Sequence, residues 1–275
     1  MGPRKAKISL FVLARVSSAF GLAALTGCGG GVPLLHPVHA LLPGRTAFAV
    51  GVSNRFVLGD AKRALDATPP RMPEAPAAPA DGRGTDGVLV ALAEGPAVAP
   101  YFAARVGIPG ANEAGLSYSG QALRGDLRHA FEWGSSALSA GLGLTGRGFG
   151  QSAYDPPGTD LSGAHGVGVD LPILLGYRTD AELISVWGGL RGSFDHWSGT
   201  VSLDAQAPFE LDASRVALGP VLGMSLGLPP FWVSAELELD YAHITGSLDR
   251  SGARYDAQLD GWSARPAGAL VGKFW

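Results

Sequence analysis

Apolar and polar residues alternate along most of this chain. Phe231, Val233, Ala235, Leu237, Leu239 and Tyr241 fall on one face of an extended segment, and Ser234, Glu236, Glu238 and Asp240 fall on the other. Side chains of a strand point alternately to its two faces, so a period of two predicts strands. Here each strand has one greasy face and one that is small or charged. The same period sets Phe102, Ala104, Val106 and Ile108 against Ala103, Arg105 and Gly107, and Leu127, His129, Phe131 and Trp133 against Asp126, Arg128 and Glu132. It returns in Leu116 and Tyr118, in Leu138 to Leu144, in Val167 to Tyr177, and in Ile184 to Phe194, where Trp187 and Arg191 lie opposite the apolar face.

With a first strand near Thr46 to Leu58 and a last near Leu259 to Trp275, the chain holds ten candidate strands, eight being the alternative count. Each is about the ten residues that a tilted barrel strand needs to cross an apolar layer. The connections alternate too. Pro109 to Glu113, Ser135-Ser136, Arg178 to Asp180 and Leu228 to Pro229 are tight, whereas 59–97, 148–165, 197–212 and 248–258 are long. Only the turn expected around Arg124-Gly125 departs from the pattern. Tight turns at one end and long loops at the other predict an all-β chain folded as a single antiparallel transmembrane β-barrel. The loop 59–97 carries Pro69-Pro70, Pro73, Pro76 and Pro79, a polyproline-like composition, and Val88 to Ala93 within it is expected to lengthen the second strand.

One segment tests this reading against a membrane helix. Val216 to Ala235 runs twenty residues without a charge, long enough to cross a bilayer as a helix. It also holds Pro220 and Pro229-Pro230, and a proline inside a helix costs about 3 kcal/mol. Val216, Leu218, Leu222, Met224 and Leu226 alternate with small residues, so the segment is a strand followed by a turn.

Composition sharpens the class. Glycine accounts for 41 of 275 residues, and charged residues for 16%, against usual values of about 7% and 25%. Both suit a wall that faces lipid. The formal charge of −3 leaves no basic footprint for nucleic acid, and the single Cys excludes disulfides within the chain and Cys-based zinc sites.

That Cys stands at the end of a basic stretch (Arg4, Lys5, Lys7), an apolar run from Val16 to Leu25, and the tetrad Leu25-Thr26-Gly27-Cys28. The apolar run is too short to span a bilayer as a helix. The arrangement resembles the lipobox of bacterial lipoproteins. The resemblance implies a helical signal peptide over 1–27, acylation of Cys28, a lipidated tether over 28–43, and a barrel over 44–275. Gly29 lacks the Asp that commonly retains such proteins at the inner membrane, so the implied destination is the outer membrane. The ending Gly272-Lys273-Phe274-Trp275 resembles the terminal aromatic signature that outer-membrane barrels present to the barrel assembly machinery, although Lys273 falls where the alternation wants an apolar residue.

The polar face carries the candidate chemistry. Arg105, Arg128, Arg191 and Arg265 share it with Asp126, Glu132, Asp170, Glu236, Glu238 and Asp240. In a narrow lumen these groups are expected to pair, because unpaired buried charges are costly. A plug of salt bridges is the expected outcome, and a narrow polar pore the alternative. His196-Trp197-Ser198 resembles the His-x-Ser of outer-membrane lipid A deacylases, with Gly199 where an Asn is usual; a strand-end His beside an interfacial Trp is the simpler reading. Gly141-x-Gly143-x-x-Gly146 spells a dinucleotide fingerprint but alternates as a strand with small lumen residues. Arg124-Gly125-Asp126 spells an integrin-type tripeptide, explained by a hairpin turn. His36 and His39 lack a third ligand nearby.

These features predict a lipid-anchored outer-membrane barrel with a structural or interaction role, without catalysis, cofactor or metal. Outer-membrane lipid and the assembly machinery are its expected partners, and no ligand is specified. The alternatives are a small polar-solute pore, a membrane-lipid hydrolase, and a soluble lipocalin-like binding lipoprotein whose greasy face would be its core.

Overall fold

The alternating runs pair edge to edge until they meet. The computed structural model describes residues 32–66, 83–94, 97–120, 122–148, 159–203, 208–250 and 253–274. Its ten strands are β1 (Thr46–Leu58), β2 (Ala97–Ile108), β3 (Asn112–Ser119), β4 (Ala122–Trp133), β5 (Ser136–Gly148), β6 (Thr159–Arg178), β7 (Ile184–Leu203), β8 (Phe209–Leu228), β9 (Phe231–Arg250) and β10 (Ala253–Phe274). Each pairs antiparallel with its neighbours in sequence, and β1 pairs with β10, so that no edge is left open. The segment from Val216 is strand, tight turn and strand, and among the described residues no helix is long and apolar enough to cross a membrane.

The greasy faces point outward. Leu127, Leu144, Val167, Leu222 and Val233 are each more than half exposed, while Glu236, Glu238, Asp170 and Arg191 on the opposite faces are buried. A lipocalin-like core would require the inverse. Phe231 to Tyr241 climbs β9 by ten residues, about 25 Å at ~3.3 Å per residue and ~40° of tilt, the height of the apolar band on an outer-membrane barrel.

Above that band the alternation reverses phase. On β9 the outward residues become His243, Thr245 and Asp249, and the inward ones become Ala242, Ile244, Gly246 and Leu248. The switch recurs at one level: above Phe194 on β7, Val216 on β8, Trp262 on β10 and Val167 on β6. Strands β6 to β10 run 20 to 22 residues, whereas β1 to β5 run 8 to 13. The barrel therefore has a low wall and a tall one. Where the tall wall rises alone, its inner face is apolar and needs a cover.

Two helices in the β1–β2 connection supply that cover. They are α1 (Gly59–Asp66) and α2 (Arg83–Glu94). Val88 to Ala93, expected to lengthen the second strand, instead forms half of α2. Leu89 and Leu92 pack with Trp197, Leu211, Ile244 and Leu248, and Val90 packs with Val57 and Ala61. A short apolar run does not distinguish strand from helix by itself; here its contacts with a one-sided sheet settle it.

The segment expected to be a free spacer is also folded. Residues 32–41 enter the lumen from the tight-turn end, with Val32, Leu34, Leu35 and Val38 nearly inaccessible. Leu34 and Val38 lie against Ala137, Leu174, Trp187 and Val221, and Val32 and Leu35 lie against Tyr101, Trp232 and Val271. Being apolar, these residues are more stable inside the barrel than in water. Residues 1–31, and with them the expected signal peptide and Cys28, lie outside the described residues, as does Trp275.

Candidate functional site: an ion-pair chain and an inserted segment

Inward positions at successive heights bring eight arginines and seven carboxylates into one alternating chain. At the tight-turn end, Arg128 Nη2 meets Glu113 at 2.8 Å, and Glu113 also accepts from Arg105. Arg105 passes to Asp126 and Asp126 to Arg124, whose Nε and Nη2 bond the two oxygens of Asp170 at 2.8 and 2.9 Å. Asp170 accepts from Arg191 at 3.2 Å, Arg191 reaches Glu238 at 3.1 Å, and Arg265 bridges Glu238 and Asp240 at 2.8 and 2.9 Å. Arg215 then joins Asp240 at 2.8 Å to Asp195 at 3.3 Å and to Glu94 of α2. Arg147 closes on Asp195 at 2.9 Å and Arg55 on Glu94 at 3.3 Å. The side chains are at most 7% exposed. Alternating signs make such burial tolerable: a lone buried charge is strongly destabilising, and each interior member here faces an opposite charge on either side.

Glycine makes room for the chain. A side chain at Gly143 of β5 would overlap Arg124 and Asp170, and one at Gly115 of β3 would overlap Arg105 and Asp126. The glycine series from Gly141 to Gly146 thus belongs to a strand, and Gly143 is the gap through which β4 reaches β6.

Of the residues named from sequence, Arg105, Asp126, Arg128, Asp170, Arg191, Glu238, Asp240 and Arg265 lie in this chain. Glu236 is buried beside it but serves another partner: its two oxygens accept the backbone N–H groups of Leu34 at 2.7 Å and Leu35 at 2.9 Å. Glu132 does not belong to the lumen network. It sits at the rim, accepts the Ala40 N–H at 3.0 Å, and faces Arg178 at 3.5 Å, because the last three residues of β4, Phe131 to Trp133, are all exposed. Sequence reasoning missed Arg55, Glu94, Glu113, Arg124, Arg147, Asp195 and Arg215. The local sequence puts Glu113 and Arg124 in turns; the turn expected around Arg124-Gly125 lies instead at Gly120, which has φ +60°, and Arg124 and Asp126 are inward strand residues. The integrin-type tripeptide is therefore buried.

The inserted segment is held mainly by its backbone. Arg128 donates to the carbonyls of Pro37, Val38 and His39, Arg191 Nη1 to Val32 at 3.0 Å, and the Tyr101 hydroxyl to Leu34 at 3.4 Å. Glu113 accepts the Leu41 N–H at 2.9 Å. The void beside the segment measures about 40 Å³. Among the described residues no group of three or more His, Cys, Asp or Glu could hold a metal, and the buried His36 Nδ1 and His39 Nε2 have no hydrogen-bond partner.

On the outer wall His196 and Ser198 share a face but do not bond each other. Ser198 Oγ lies 3.2 Å from His165 Nε2, and His196 Nδ1 lies 3.2 Å from Ser214 Oγ. Asp212 is 4.0 Å from His196 Nε2, beyond hydrogen-bond range. Trp197, expected at the interface, points inward and is fully buried, with Arg147 5.5 Å above its ring.

No family model matches the chain, and no curated protein matches it. Among solved structures, it is similar to Ail, the attachment invasion locus protein of Yersinia pestis, over 85% of this chain and 100% of Ail, at 12% identity and a TM-score of 0.36. It is similar to Neisserial surface protein A over 84% of this chain and 99% of that protein, at 11% identity and a TM-score of 0.33. The barrel itself follows from the closed pairing of this chain's own strands.

Proposed function

We propose that this chain is a lipid-anchored outer-membrane barrel whose lumen does not conduct, with a structural or interaction role at the cell surface. The carrying observation is the reversal of alternation at one level on β6 to β10. Below it the wall is apolar outside and charged inside, which suits hydrocarbon around a sealed lumen. Above it the wall is polar outside and apolar inside, which suits water. The tight turns then face the periplasm and the tall wall with α1 and α2 faces outward. The ion-pair chain and α2 close the lumen between them. Acylation at Cys28, removal of residues 1–27, and delivery by the barrel assembly machinery complete this reading.

Two measurements test it. Planar-bilayer recordings of the refolded chain are expected to show no stable single-channel steps; reproducible steps would favour the pore. Mass spectrometry of protein from diderm cells is expected to find diacylglycerol on Cys28 and none in Cys28→Ser, and a mature chain cut elsewhere would remove the anchor from the reading.

A further inference from the structure

We propose that the periplasmic half of the lumen is a binding site for a turned peptide backbone, which residues 32–41 fill in the untethered chain and vacate when Cys28 is fixed to the inner leaflet. The inference deepens the interaction role proposed above and rests on its orientation of the barrel.

The lumen reads this segment as backbone. Glu236 takes two consecutive N–H groups, Arg128 gives to three consecutive carbonyls, and Arg191, Tyr101, Glu113 and Glu132 engage further backbone groups. Meanwhile the segment's two histidines leave buried ring nitrogens unpartnered. Side-chain selectivity is confined to two apolar pockets, one for Leu34 and Val38 and one for Val32 and Leu35. Such a site accepts an apolar peptide that can turn as this one does at Leu35, where φ is +48°. When it is empty, Glu236 and Arg128 lose the partners that balance their burial.

The tether conflicts with the occupant. Arg191, which holds the Val32 carbonyl, stands seven residues up β7 from Ile184, about 18 Å above the periplasmic end at ~3.3 Å per residue and ~40° of tilt. Cys28 precedes Val32 by four residues, a reach of about 14 Å when fully extended. An acyl chain on Cys28 would have to descend past the segment itself and then round the strand ends to enter the leaflet. Upward, the Arg191–Glu238–Arg265 links and α2 block the way. Docking at Val32 and anchoring at Cys28 therefore exclude each other.

The test uses the full refolded chain in vesicles and exploits its lone thiol. One sample has Cys28 coupled to a maleimide-headgroup phospholipid, the other has it capped with N-ethylmaleimide. In the capped protein, hydrogen exchange is expected to find the amides of Leu34, Leu35, Ala40 and Leu41 protected; in the coupled protein they should exchange at least tenfold faster. A benzophenone-bearing synthetic peptide with the sequence of residues 32–41 should then photocrosslink to the coupled protein and not to the capped one. Glu236→Gln should cut that yield several-fold, and Tyr101→Phe, which removes one weak contact, should leave the barrel's gel mobility unchanged and lower the yield less. Protection that survives coupling would overturn the exclusion, and lost protection without crosslinking would overturn the peptide site. Because the lipid is supplied chemically, a failure of cells to acylate Cys28 would count against the anchor alone.

Discussion

Arg124 on β4 donates through Nε and Nη2 to both oxygens of Asp170 on β6, crossing the intervening strand where Gly143 leaves space. This two-point contact joins the low-wall half of the ion-pair chain to the tall-wall half. Neutral packing could fill the same volume, but bidentate arginine pairs also impose geometry, and here they set how strands two apart approach.

Gly143→Ala is expected to destabilise the barrel by about 1 to 3 kcal/mol through overpacking, rising to about 3 to 5 kcal/mol if the Arg124–Asp170 pair opens. Gly146→Ala, three residues on and facing outward with nothing within 4 Å, should stay within about 0.5 kcal/mol of the parent. Urea unfolding in vesicles, followed by heat-modifiable gel mobility, separates the two.

Glu238 lies between Arg191 at 3.1 Å and Arg265 at 2.8 Å. Glu238→Gln leaves both guanidinium groups short of a buried counter-charge and should cost about 3 to 5 kcal/mol without creating conductance. Were the lumen water-filled, screened pairs would contribute only about 0 to 1 kcal/mol, and the variant would keep its stability while ion selectivity changed.

The phase reversal on β9 predicts a steep dependence on height. Leu237→Arg, within the apolar band, should destabilise by about 2 to 4 kcal/mol, whereas Thr245→Arg, on the same outer face above the reversal, should cost less than about 1 kcal/mol. Refolding equilibria in lipid vesicles measure both. Equal costs would place the membrane boundary elsewhere.

At the periplasmic rim Lys273 Nζ lies 3.0 Å from Glu182 and 4.5 Å from the centre of the Trp232 ring, and the Trp232 indole donates to the Glu182 carbonyl at 2.7 Å. Burial by itself would raise the Glu182 carboxyl, but Lys273 and then Arg178 outweigh it and hold it below the ordinary value near 4.5. A carboxyl depressed by folding contributes stability at neutral pH that is lost as pH falls through its folded value. Acid should therefore weaken the barrel below about pH 4.5 by up to ~1 kcal/mol from this contact. Lys273→Met should flatten that part of the dependence and add a pH-independent loss from the ring contact, read from unfolding midpoints between pH 3 and 7.

Sequence alone determined the count of ten strands, the tight turns at the periplasmic end and the outward face within the apolar band; it did not show that β6 to β10 continue to 20 to 22 residues, through much of the expected loops 148–165, 197–212 and 248–258. The two-residue period is local, and a wall of Leu237, Leu222 and Val233 has one stable orientation when its other face carries Glu236, Glu238 and Asp240. It also showed Lys273 out of step with its neighbours, which the rim contact with Glu182 explains. The tertiary structure decided what depends on residues distant along the chain. Arg124 reads as a turn residue beside Gly125 until Asp170 is found 46 positions away. Val88 to Ala93 is a helix because the tall wall offers Trp197 and Leu248 to cover, and residues 32–41, aperiodic and rich in proline and leucine, read as a spacer until Glu236 and Arg128 are seen to take up their backbone. Period and turn chemistry are written into neighbouring residues, whereas pairing of charges and filling of a lumen are settled only when strands far apart in sequence close into one wall.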